Sequence, residues 1–285
     1  VIAARRRWLR RTLGVLAIVG TTAPLVAQGA PAQGWAFTWT VASTMRGQSA
    51  PGAGLTFDVV VWRGTARITP RAGQPAMRAL LGDAGVILAH DGDSLLTVLN
   101  HAKRDALLAT LGDLAAMGGG PGGLQLTVSA VSSTARRGGA ALPFDGLTAR
   151  RLTLDQRYTM AVRVQEMQRE VQVSDVTTLD LSAALDGRGA GFRAFASEFL
   201  RALGKPREVR AALRQQEGRL PRGVPVRTRT VTVTVAGGDT LRTETTGTMS
   251  SLQRVPVDTM TFRVPSGYRV TEARRLLQLR GSGPT

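Results

Sequence analysis

From Trp35 onward, apolar residues recur at every second position. Trp35, Phe37, Trp39 and Val41 alternate with Ala36, Thr38, Thr40 and Ala42. Leu55, Phe57, Val59 and Val61 alternate with Thr56, Asp58 and Val60. Successive side chains of a strand point to opposite faces, so each run predicts a half-buried strand. The stretch "GVILAHDGDSLLTVLN" reads as a hairpin, with Asp91-Gly92 supplying the positive-φ turn. Leu124, Leu126 and Val128 keep the same period, as do Tyr158, Met160, Val162 and Val164, followed by Val171 and Val173. Val231, Val233 and Val235 alternate with threonines, and "AGGDT" turns that strand into "TLRTETTG". The last strong strand is "DTMTFRV", closed by "PSGY". Consecutive strands joined by short turns predict an antiparallel meander, because parallel strands need long crossovers.

A helical period interrupts the alternation in two places. In "GAGFRAFASEFLRALG", Phe192, Phe195, Ala196, Phe199, Leu200 and Leu203 form one apolar stripe. Gly204 ends that helix, and Pro206 starts a second short one through about Gln216, giving helical structure over 190–217. Asn100 is placed to cap another helix, over 101–116, through Leu107, Leu108, Leu111 and Leu114, until "GGGPGG" breaks it. So few helices cannot build an α/β layer, and the predicted class is mainly β with packed helices. No internal repeat or domain boundary stands out, so residues 33–274 are expected to form a single β domain. "GQSAPGAG" and "GGGPGG" read as loops, and 275–285 as a flexible tail.

The first thirty-two residues follow neither period. Arg5, Arg6, Arg7, Arg10 and Arg11 precede the short apolar run "LGVLAIV", which Gly20, Thr21, Thr22 and Pro24 interrupt. That run is shorter than the roughly 20 apolar residues that span a bilayer. Ala30-Pro31-Ala32 offers a cleavage site after Ala32, and Leu25-Val26-Ala27 a second after Ala27. A basic start, an apolar run and a small-residue site together predict a signal peptide over 1–32, export to the periplasm or beyond, and no permanent membrane span after cleavage. Val1 in place of Met fits an alternative start codon. Arg5, Arg6, Trp8 and Leu9 resemble the twin-arginine export signature, with Trp8 where Phe is usual and Arg10 where Lys is usual. The general secretory route also accepts paired arginines, so the route stays open.

Charge alters this picture little. The formal net charge is +17, and removing the five arginines of the leader leaves +12. The remaining arginines are scattered singly or in pairs such as Arg136-Arg137, Arg150-Arg151 and Arg274-Arg275. No basic block is interleaved with aromatics, which make up 5% of the chain, so a base-stacking platform for nucleic acid is not expected. The absence of cysteine excludes disulfides, thiolate metal sites, a Cys nucleophile and a lipidated Cys.

No motif calls for enzyme chemistry or a cofactor. The only histidines are His90 and His101, and two imidazoles without a third ligand are a weak metal site. "HDGD" lacks the later oxygen ligands of a calcium loop, "GGGPGG" lacks the Lys-Ser/Thr of a phosphate cradle, and "GDSLL" has Leu96 where a nucleophile elbow needs glycine. Glu166 and Glu170 are expected to face water, and Asp175, Asp180 and Asp186 to cap turns.

Three stretches carry a family resemblance: "GVILAHDGDSLLTVLNHAKRDALL", "GVPVRTRTVTV" and the ending "VDTMTFRVPSGYRV". With the leader they resemble the exported lipoprotein-carrier (LolA/LolB-type) half-barrel superfamily over about residues 35–270, and look closest to secreted domains of that architecture with no assigned role. The resemblance implies a curved antiparallel sheet, or half-barrel, wrapping one to three helices, with an apolar concave face that holds acyl chains in the carriers. On this chain that face would be Trp35, Phe37, Trp39, Phe57, Val59 and Phe262. The chain lacks the carriers' amphipathic helix before the first strand and adds loops at 47–54 and 118–123, so lipoprotein transfer is not carried over. The expectation is a non-enzymatic exported protein that binds a hydrophobic or lipid-like ligand. The alternative is a structural or protein-interaction domain of the envelope without a small ligand.

Overall fold

In a computed structural model of the chain, the alternating runs become one large sheet. The structure describes residues 32–45, 48–49, 54–71, 85–90, 95–110, 113–114, 124–164, 167–185, 187, 189–202 and 223–276, all within one compact unit, Pro31–Thr285. The strands are β1 (Gln33–Met45), β2 (Gln48–Ser49), β3 (Leu55–Trp62), β4 (Thr65–Pro70), β5 (Gly85–His90), β6 (Leu96–Asn100) and β7 (Asp105–Ala109). They continue as β8 (Leu124–Phe144), β9 (Leu147–Val164), β10 (Met167–Ser182), β11 (Val224–Ala236), β12 (Asp239–Pro256) and β13 (Arg269–Glu272). An α-helix, α1 (Ala190–Ala202), follows β10 in the chain.

The strand order is β13-β7-β6-β5-β4-β3-β1-β12-β11-β10-β9-β8, with β2 pairing β1. Two antiparallel meanders, β3 to β7 and β8 to β12, are therefore joined through β1, which bonds β3 on one side and β12 on the other. Among the described residues the sheet is not closed, and β8 and β13 are its edges. The mainly-β class and the antiparallel sheet are as expected, with one departure: β13 pairs β7 in parallel, Arg269 opposite Asp105.

The core explains why α1 forms where it does. Phe192, Phe195, Ala196 and Phe199 are buried and pack on Phe37, Trp39, Val41, Phe57, Val59 and Val61, the inward phase of β1 and β3. Ile68, Ile87 and Val98 extend this face across β4, β5 and β6. Strands β5, β6 and β7 are also covered on their other face, where Val86, Leu88, Leu99 and Ala106 meet Val264 and Tyr268 of the C-terminal segment. Two-sided burial turns these strands into unbroken apolar runs.

Two expectations are corrected. The helix over 101–116 is overturned at 105–109, which is strand β7; among the described residues of that stretch Asp113 and Leu114 alone are helical, and 111, 112, 115 and 116 lie outside the described residues. Residues 101–104 form a turn, with Lys103 N donating to Asn100 Oδ1 at 3.0 Å and Arg104 at φ +50°. Asn100 thus closes a hairpin turn rather than capping a helix. "DTMTFRV" is not a strand: Asp258 caps a 3-10 turn over Thr259–Phe262, accepting from Met260 N, and the final strand is β13. Residues 273–276 form a helical turn with Ala273 buried. The second helix from Pro206, the 91–94 turn, the 118–123 loop and 277–285 lie outside the described residues.

Candidate functional site

The apolar face predicted to hold a ligand is occupied by α1. Phe192 meets Phe37 and Trp39 edge-on, at ring-centroid distances of 4.9 and 5.3 Å. Phe195 and Phe199 meet Phe57 in the same way at 5.8 and 5.6 Å, and stack on each other at 5.3 Å. Edge-to-face pairs contribute about 0.5–1.5 kcal/mol each beyond area burial. Phe37, Trp39, Phe57 and Val59 are all at most 4% exposed. These four residues are brought together as predicted, but as closed core.

The other two predicted residues lie apart. Trp35 is partly buried at the rim, with the Arg254 guanidinium 5.0 Å from its ring centroid. Phe262 is on the opposite face of the sheet: it packs on Trp62, whose strand neighbour Val61 points toward α1. A single face containing all six residues is therefore corrected. Arg5, Arg6, Trp8, Leu9 and Ala27 lie outside the described residues, whereas the carbonyl of Ala32 accepts from Val257 N at 2.8 Å.

Two glycines let the helix and the tryptophan sit so closely. A Cβ on Gly191 would fall inside contact distance of the Ala89 carbonyl oxygen, and 2.7 and 2.9 Å from Gly64 O and Ala66 N. A Cβ on Gly247 would meet both the Trp39 ring and Thr228 Oγ1 at 2.5 Å. The Trp39 indole N–H and Thr228 Oγ1 are buried without a hydrogen-bond partner. Such atoms typically cost about 1–3 kcal/mol each.

Beyond α1 the same face turns polar. Register carries it from Val41 through Gly247 to Thr228, then Thr230 and Thr232, and across to Thr177 and Asp175. The covered phase of β11 is therefore its threonines, and Val235 points outward at 37% exposed. Asp175 is fully buried and accepts from Thr232 Oγ1 at 2.5 Å and from Tyr158 OH at 3.4 Å. Burial first, then the Asp175 charge and this hydrogen bond, push the Tyr158 phenol far above its ordinary pKa. Thr177 and Thr230 share a 3.0 Å hydroxyl contact. Neither predicted turn-capping aspartate that the structure describes caps a turn. Asp175 sits in mid-strand, and Asp180 accepts a bidentate bond from Arg151 at 2.8 and 3.0 Å. The signal for Asp175 was present in "VQVSDVT", where it shares the phase of Val171 and Val173.

The cluster couples an aspartate to two hydroxyls with no imidazole. His90 Nδ1 is 3.2 Å from Thr65 Oγ1, and His101 Nδ1 is 2.7 Å from Tyr268 OH, so each has its own partner. Among the described residues no three His, Cys, Asp or Glu side chains converge as metal ligands. No described helix is long and apolar enough to cross a membrane.

The outward face carries paired charges. Arg71 chelates Asp58, Arg229 grips Glu244 with bonds of 2.7 and 2.9 Å, and Arg269 grips Asp105. The Arg229 bonds hold the Glu244 carboxyl below its usual pKa. A shallow groove of about 210 Å³ beside Arg157, Thr159, Gln172, Ser174, Val233 and Val235 is smaller than the usual small-molecule pocket of roughly 300 Å³ or more.

No protein-family model and no curated protein matches the chain. Among solved structures it is similar to one of PNGF-II, at 11% identity and a TM-score of 0.37, over 88% of this chain and 34% of that one. The chain thus spans about a third of that structure's length.

Proposed function

We propose that this is a non-catalytic exported domain of the cell envelope that works by protein contact and carries no hydrophobic ligand under its sheet. Export rests on the leader over 1–32. The observation that supports the contact reading is the packing of Phe192, Phe195 and Phe199 onto Phe37, Trp39 and Phe57. A half-barrel carrier needs that face free for an acyl chain, and here aromatic rings from the same chain fill it. In this reading the open sheet is a half-barrel whose concave side is closed by its own helix.

The test is uptake of a fluorescent fatty acid by delipidated protein. No saturable uptake is expected, and Phe57→Ala is expected to lower stability by about 3–5 kcal/mol without creating a ligand phenotype. Stoichiometric uptake that Trp39→Ala or Phe57→Ala weakens in still-folded protein would restore the ligand reading.

A further inference from the structure

We propose that residues 132–137 of β8 form a docking edge for an extended acidic segment of a partner protein, which adds to the sheet as its next strand. The proposal rests on the protein-contact reading and narrows it to one edge and one partner chemistry.

Among the described strands β8 pairs with β9 alone, so alternate N–H and C=O groups over 132–137 face away from the sheet. The other edge, β13, offers four residues, whereas β8 has twenty-one. Within β8, register shifts fall between Ser129 and Ser132 and between Arg137 and Ala141. Between them, residues 132–137 pair without a break to Arg157 through Leu152. Five of the six are exposed and Ser133 is half-buried, so among the described residues nothing beyond β9 covers the stretch. Four of the six side chains are Ser, Thr or Ala, too small to screen the backbone.

Charge selects the occupant. The twenty-one residues of β8 include Arg136 and Arg137 and no acid. On the adjoining strand Asp155 lies 3.7 Å from Arg136 and 3.5 Å from Arg157, so one carboxylate is shared by two guanidinium groups that are 74% and 70% exposed. The edge keeps an excess of positive charge. Arginines and bulges on an edge strand usually discourage pairing with copies of the same chain. Two β8 edges meeting here would bring four arginines together with no acid from either strand. An acidic strand meets the reverse situation: its carboxylates answer Arg136 and Arg137 while its main chain satisfies both the free donors and the free acceptors. A nucleic acid would satisfy only the donors, and residues 132–137 hold no aromatic for a base to stack on.

The probe is a fluorescein-labelled (Glu-Val)4 peptide titrated into the whole protein at low salt. Anisotropy should report saturable binding, and hydrogen exchange should slow at residues 132–137. Arg136→Glu with Arg137→Glu should weaken binding by about tenfold or more. The same peptide N-methylated at alternate residues, tested on the unaltered protein, should not bind. Equal binding of (Lys-Val)4, undiminished binding of the N-methylated peptide, protection elsewhere, or no binding would overturn the proposal. Protection of 132–137 that grows with protein concentration alone would assign the edge to a second copy and also overturn it. Fatty-acid uptake would defeat the contact reading itself; a failed peptide titration without uptake defeats only this edge.

Discussion

Tyr158 illustrates how one strand position can carry a measurable consequence. Its phenol is buried beside the fully buried Asp175 carboxylate, so the folded protein keeps the Tyr158 proton to a higher pH than the unfolded chain. An unfolded tyrosine ionises near about pH 10. Below that pH both states hold the proton and stability is unaffected; above it the unfolded state alone loses the proton, and stability falls as pH rises. Tyr158→Phe removes this term. At neutral pH the variant should lose about 1 kcal/mol from the missing hydrogen bond to Asp175. Between pH 7 and pH 11, however, its Tm should fall less than that of the unaltered protein. Equal falls in the two proteins would mean that burial does not hold the phenol neutral. Asp175 itself shows what residue-level reading missed. A lone acid among polar residues reads as a turn cap, although the phase of Asp175 with Val171 and Val173 points inward.

Elements were legible where one face alone is buried. The alternation of β1 and β3 and the 3.6-residue stripe of α1 each identify a covered side, and Phe37, Trp39, Phe57, Phe192, Phe195 and Phe199 all lie on it. Strand β7 carries no such signal because it is buried on both sides: Ala106 faces Tyr268 and Val264, while Leu107 and Ala109 face the main core. A short apolar run covered on both faces has no distinguishing period. In β11 the period was visible and its phase was not, because valine rather than threonine looks like the inward residue. Val224 and Val226, buried at the start of the strand, and the pairing of Thr228 with Gly247 fix that phase. The seat of α1 depends on Gly191, where a Cβ would press on the backbone of Gly64, Ala66 and Ala89. Backbone cannot rotate away as a side chain can. Gly191→Ala should therefore cost about 3 kcal/mol or more, despite the better helix propensity of alanine. Chemical denaturation measures it, and a neutral or stabilising result would show that the helix can shift on the sheet.

At the scale of the molecule, the strand order was out of reach of pattern reading. Nothing local says that β1 separates two meanders, or that the chain returns after β12 to lay 259–268 over β5 and β6 and add β13 beside β7. The outcome is an uneven distribution of support. Strands β1, β3, β4 and β5 have neighbours on both sides and α1 over one face, and β5 and β6 are covered on the other face as well. Strand β8 has one neighbour and an exposed outer edge. Opening free energies within one protein run from near zero at poorly supported elements to the global value in the core. Native-state hydrogen exchange should therefore be slowest in 57–61 and 86–89, where exchange requires global unfolding, and fastest in those amides of 132–137 that point away from β9. The gradient bears on how a docking edge works. A strand added to β8 gains main-chain bonds without breaking any, so free protein must expose those amides to solvent. Protection of 132–137 equal to that of 57–61 in dilute, partner-free protein would mean that the edge is already covered, and an added strand would then have to displace its cover before it could pair.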